Sequence, residues 1–96
     1  MIKKYNKGYT TGVFDLFHVG HLNILKKAKE CCNHLVVGVT TDELVSYKNT
    51  EAFIPFEERM QIVESIKYVD EICAQESMNK LDAWVKLKFD VVFVGS

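Results

Sequence analysis

The run His34–Thr40 (HLVVGVT) is apolar without alternation from Leu35 to Val39. A strand with one face in water alternates apolar and polar side chains. A continuous run instead fits an inner strand of a parallel sheet, buried on both faces. The flanking segments agree. Gly8–Gly12 reads as a first strand, and Val19 to about Cys32 as a helix with Leu22, Leu25, Ala28 and Cys32 at helical spacing and Lys26, Lys27, Lys29 and Glu30 turned outward. Downstream, Thr41-Asp42-Glu43 caps a short helix or turn, and the segment to Phe53 reads as a loop. Pro55, Glu57 and Glu58 suit a helix start, with Met60, Ile62, Val63 and Ile66 as its buried face to about Ile66. A strand is predicted near Glu71–Ala74, a helix near Asn79–Lys88 carrying Leu81, Trp84, Val85 and Leu87, with Trp84 in the core, and a last strand at Asp90–Val94. Strand and helix alternate throughout, which predicts an α/β fold: a Rossmann-like parallel sheet with helices on both faces and ligands at the carboxyl ends of its strands.

The chain has 96 residues, 48% of them hydrophobic, which suits a single domain with a real core. Its net charge is −1 with the signs interspersed, so there is no electrostatic footprint for nucleic acid or an anionic membrane. No apolar run approaches the ~18 residues of a membrane span, and the start of the chain has no leader-like apolar stretch. Three cysteines, two of them adjacent (Cys31, Cys32) and one apart (Cys73), fit a reducing compartment and small apolar roles. A cytoplasmic location is expected.

The candidate chemistry lies in Tyr9–His21, YTTGVFDLFHVGH, read as a strand, a tight turn and the first turn of a helix. His18 and His21 are three residues apart, so both imidazoles leave the same end of that helix, beside its unpaired N–H groups. That end attracts anions, and Gly20 lets a phosphate chain approach the backbone. The stretch reads as a triphosphate cradle. The plainer alternative is that the histidines cap and decorate a surface helix. Zinc is a third option, but no third ligand and no Cys/His spacing follow, so no metal ligands are assigned.

These residues carry a resemblance. GVFDLFHVGH is similar to the G-T-F-D-x-x-H-x-G-H signature of the cytidylyltransferases of the H-x-G-H nucleotidyltransferase superfamily, and within them to the bacterial glycerol-3-phosphate cytidylyltransferase branch. The similarity continues through LVVGVTTDEL (35–44), Lys48 and PFEERMQIVESIKYVDEI (55–72). It implies strand order 3-2-1-4 and transfer of CMP from CTP to a small phosphorylated alcohol, glycerol 3-phosphate foremost, with release of pyrophosphate. CTP and an alcohol phosphate are then the small-molecule partners, Mg²⁺ comes with the triphosphate, and a homodimer is expected. The same H-x-G-H chemistry serves adenylyl transfer, which is one alternative. A catalytically silent nucleotide- or anion-binding fragment is the other.

The resemblance also distributes roles. It implies catalytic His18, His21 and Lys48, and nucleotide contacts from Gly12, Val13, Phe14, His18, Gly20, His21 and Gly95. Lys48 and Arg59 are the candidates for a substrate phosphate. Arg59 is the sole arginine among twelve basic residues, and its planar fork suits either a phosphate or a buried carboxylate, with Asp70 or Glu58 as partner. Asp15 and Asp70 are expected in structural support, Asp15 by shaping the turn through backbone N–H groups. Val13 stands where the signature has Thr, and Thr50 where a second loop lysine is usual. No R-T-E-G-I-S-T-T-like segment is present, so the expectation is a single domain over residues 1–96 without the family's C-terminal portion.

Overall fold

The computed structural model describes residues 5–47 and 50–94. The element order is β1 (Tyr5–Gly12), α1 (Val19–Glu30), β2 (Cys32–Thr40), α2 (Asp42–Tyr47), α3 (Phe56–Glu64), β3 (Glu71–Gln75), α4 (Lys80–Leu87) and β4 (Val91–Phe93). The four strands form one parallel sheet in the order β3-β2-β1-β4, as expected. Tyr9 stands between Val36 and Val92 in register, and Thr40 pairs with Gln75 at the carboxyl rim.

β2 is the strand predicted from its apolar run, buried from Leu35 through Thr40. Leu35, Val37 and Val39 pack with Leu25 and Ala28 of α1 and Val63 of α3, while Val36 joins Tyr9 and Phe89 on the other face beneath Ala83 and Leu87 of α4. α1 and α3 therefore flank one face and α4 the other. Boundaries shift by one to three residues, the most at β1, which opens at Tyr5 rather than Gly8 because Tyr5 and Lys7 pair with Cys32 and His34 of β2. α1 stops at Glu30 because Cys31 caps it through its N–H to the Ala28 carbonyl. Cys32, expected as the last helical residue, instead opens β2 fully buried, its thiol 3.4 Å from the same carbonyl. In α3, Ile62 is more exposed than expected, because the sheet side is taken by Arg59, Met60 and Val63.

The expectation for α4 is corrected. Leu81, Trp84 and Val85 are exposed, Trp84 at 43%, whereas Ala83 and Leu87 face the sheet. Ala83 and Leu87 pack against the cluster that holds the Tyr9–Phe89 stack, whose rings lie 4.9 Å apart and nearly parallel. The indole is covered from the far end instead. Lys88 takes a left-handed cap conformation at φ 53, and its ammonium sits 3.8 Å from the Trp84 ring centroid.

Gly38 makes room for Tyr9. A Cβ at Gly38 would lie 2.5 Å from the tyrosine oxygen. Burial pushes the Tyr9 phenol up to about 12, with the Cys73 thiol adding to the effect, so the hydroxyl stays protonated. Gly38→Ala should cost about 1–3 kcal/mol in urea denaturation through overpacking. Adding Tyr9→Phe should return part of that loss, and strictly additive losses would contradict the packing account.

Candidate active site

The turn between β1 and α1 is conformationally costly. Phe14 and Leu16 both have positive φ, 55° and 49°, a region that non-glycine residues enter at a cost of about 1–2 kcal/mol each. The cost is offset by what the turn places. Phe14 is buried, and its ring meets Phe17 and His21 at centroid distances of 6.2 and 5.7 Å. His21 thus sits against an aromatic floor, with Phe17 5.2 Å away.

His18 is the N-cap of α1, in extended backbone. Its Nδ1 accepts the Gly20 N–H at 2.9 Å, and the His18 N–H donates to Nδ1 of His21 at 3.2 Å. The two histidines form a reciprocal capping box in the positions usually held by Ser or Thr and Glu. The capping reading is therefore borne out, and it does not conflict with the cradle reading. Because both Nδ1 atoms accept, each neutral ring carries its proton on Nε2. Two Nε2–H donors result, on rings 4.2 Å apart, at a helix end whose first turn holds no acidic residue. Gly20 is required by the first ring: a Cβ there would lie 2.6 Å from Cε1 of His18.

Burial against the aromatic rings holds the His21 imidazole below its ordinary value, and His18 beside it pushes the same way, while Asp15 opposes both. Protonating Nδ1 would also destroy its acceptor role, so the geometry favours the neutral ring. The adjoining cavity, about 270 Å³, is lined by Thr11, Gly12, Val13, Phe14, Asp15, His21 and Ile24. A separate cleft of about 230 Å³ runs between β3 and α4, away from the histidines.

Asp15 accepts from the Phe53 and Ile54 N–H groups at 2.8 and 2.9 Å. The Phe53 N–H is the main reason its carboxyl lies below the ordinary carboxylate range. It thus ties the turn to a segment 38 residues downstream, a partner that no local pattern indicates.

Arg59 is corrected as a substrate-phosphate residue. Its side chain is fully buried, and its N–H groups are given to the carbonyls of Ile54, Val13 and Thr40 and to the Asp42 carboxylate at 2.5 Å. The partner is Asp42, not Asp70 or Glu58, because α3 turns Arg59 with Val63 onto the sheet. Asp70 is engaged elsewhere, with Lys29 at 2.6 Å and the Leu35 N–H at 2.7 Å. Burial alone would raise its pKa, but those partners bring it below the ordinary value. Lys48 and Gly95 lie outside the described residues.

Residues 9–96 match the family described as cytidylyltransferase-like. The chain belongs to that family. It is 37% identical over 86 residues to the glycerol-3-phosphate cytidylyltransferase of Bacillus subtilis (strain 168), covering 90% of this chain and 62% of the relative. It is 41% identical over 86 residues to the FAD synthase of Pyrococcus abyssi (strain GE5 / Orsay), covering 88% of this chain and 58% of that protein. Its fold is similar to the crystal structure of the lipopolysaccharide core biosynthesis protein of Thermoplasma volcanium GSS1, with a TM-score of 0.85, 25% identity, and coverage of 92% of this chain and 72% of that one. The chain thus spans less than two thirds of the length of these first two relatives. Among the described residues, no helix is long and apolar enough to cross a membrane.

The His21 shift has a consequence for stability. A histidine whose folded pKa is depressed binds its proton more tightly when unfolded, so the unfolded chain gains protons first as pH falls. Stability should be full above 6.5, the ordinary histidine value, and decline as pH drops below it, ahead of any loss from Asp15 and Asp70, whose ordinary value is 3.8. Urea melts of the protein and of His21→Gln test this. The variant should lose most of the decline just below pH 6.5, and an unchanged decline would contradict the assignment.

Proposed function

We propose that this member of the family transfers CMP from CTP to a small phosphorylated alcohol, with glycerol 3-phosphate the first candidate, and releases pyrophosphate. The observation that carries the reading is the pair of Nε2–H donors fixed by the capping box at the start of α1. An oxygen of the acceptor phosphate attacks the α-phosphorus in line, the bond from the α-phosphorus to the bridging oxygen breaks, and its electron pair leaves with pyrophosphate. The protein's share of this reaction is positioning and charge stabilisation. His18 and His21 direct donors at oxygens of the α- and β-phosphates, where charge builds as that bond breaks. The helix end adds its dipole, and each Nε2–H is a donor aimed outward from that end. Lys48 is assigned to the acceptor phosphate, and Gly12, Val13, Phe14, Gly20 and Gly95 to the nucleotide.

Mg²⁺ would arrive on the triphosphate and neutralise part of its charge. Asp15 lines the cavity with His21, and its two carboxylate oxygens already accept N–H groups, which suits support of the backbone better than ligation. A cytoplasmic homodimer completes the proposal, and a monomer in sedimentation equilibrium would contradict the dimer.

Adenylyl transfer is the second reading, favoured by the similarity to FAD synthases, whose named product contains adenine. Incubation of the protein with CTP or ATP and a panel of alcohol phosphates, with pyrophosphate as the readout, separates the two. Release with CTP and glycerol 3-phosphate is expected. Release with ATP alone would select the second reading, and no release with any pair would leave an anion-binding module.

Because His18 both caps and donates, the informative substitution is His18→Asn. Asparagine is a favoured cap, so stability should fall by less than about 1 kcal/mol. The distant donor is lost, so kcat/KM should drop by at least ~10²-fold, as for removal of one charge-stabilising donor. A near-full rate would refute the cradle.

A further inference from the structure

The ring of Phe53 is 80% exposed, yet the backbone that carries it is fastened. Asp15 accepts its N–H and that of Ile54, Arg59 donates Nε–H to the Ile54 carbonyl at 2.9 Å, and Asp42 accepts the Phe56 N–H at 3.2 Å. Pro55 stands between them with φ −58. An exposed aromatic at a loose loop tip needs no explanation. One held in water on a backbone pinned at four groups between Phe53 and Phe56 does, because the same pinning could have presented a polar side chain at no loss of buried area.

The location narrows the explanation. Asp15, which holds the Phe53 N–H, also lines the cavity beside His21, so the ring is based at the rim of the candidate active site. Segment 50–54 belongs to the crossover that follows β2, whereas the strand order reverses between β1 and β4 on the other side. A nucleotide at the reversal, with its phosphates on the start of α1, occupies the β4 side. What approaches the α-phosphorus from the β2 side is the second substrate.

We infer that Phe53 is a specificity-determining residue, whose ring covers the carbon skeleton of the acceptor alcohol while the histidines hold the phosphates. This rests on the proposed transfer to an alcohol phosphate and adds the residue that reads the alcohol. The ring buries apolar surface against the C–H groups of a short polyol or amino-alcohol phosphate, and contributes nothing to the nucleotide.

Steady-state kinetics of the protein, Phe53→Ala and Phe53→Tyr, varying each substrate in turn, test the inference. Phe53→Ala should raise the acceptor KM on the order of tenfold, the scale of a lost apolar contact, with kcat and the CTP KM within about twofold. Phe53→Tyr, which keeps the ring, should stay near the unaltered protein. The inference is overturned if the acceptor KM of Phe53→Ala is unchanged, or if both KM values rise together. It is also overturned if Phe53→Ala instead dissociates an oligomer in sedimentation with its kinetics intact, since the ring would then serve contact between copies. Absence of pyrophosphate release by the unaltered protein is a different result, and it removes the proposed reaction and this inference together.

Discussion

The Arg59 guanidinium is the interaction on which the carboxyl rim of the sheet depends. Parallel strands end in crossovers whose carbonyls and amides lack ladder partners, and at the β1 and β2 ends those groups meet in one small space. Arg59 reaches up from α3 and supplies donors to Val13 after β1, Thr40 at the end of β2 and Ile54 before α3, while Asp42 at the start of α2 balances its charge. A fully buried cation is costly unless its donors are met, and here the acceptors are three carbonyls and a carboxylate. Removing the fork would leave the Asp42 carboxylate and three carbonyls without their donor at once. Lysine offers a compact point charge and cannot span this set, which accounts for the sole arginine of the chain standing here.

On that rim the histidine turn can carry strain. Two left-handed residues, Phe14 and Leu16, aim the chain so that His18 caps α1 and His21 reaches back to the His18 N–H. The caps then do chemical work by consequence. An imidazole that accepts at Nδ1 must hold its proton at Nε2, and protonation would break the bond that holds the ring in place. The folding interaction and the donor that the proposed phosphate chemistry calls for are therefore the same constraint, imposed by helix capping on a residue with two nitrogens. Asp15 extends the constraint to residues 53 and 54, so the turn and the backbone of the loop before α3 are tied together.

The parallel sheet was legible because β2 buries both faces, and its order followed from the resemblance carried by the stretch before α1. The cap and the proposed cradle could both be named from the spacing of His18, Gly20 and His21, and the coordinates show the cap. Other features depended on contacts distant in sequence. Asp42 lies 17 residues from Arg59, and Phe53 38 residues from Asp15, so neither pairing has a local signature. The orientation of α4 was misread because Leu81, Trp84, Val85 and Leu87 supply apolar residues around much of the helix, and periodicity cannot tell which stripe meets the sheet. The approach of the helix to Tyr9 and Phe89 decides it in favour of Ala83 and Leu87. Left-handed φ at Phe14 and Leu16 was unforeseeable from residue types that seldom adopt it.

The central claim is that capping fixes both imidazoles as neutral Nε2–H donors. Long-range ¹H–¹⁵N correlation of the imidazole nitrogens at neutral pH reads this directly, since a protonated nitrogen and a bare acceptor nitrogen resonate far apart. The account predicts bare Nδ1 and protonated Nε2 for both His18 and His21. A proton on Nδ1 of either ring at neutral pH would contradict it.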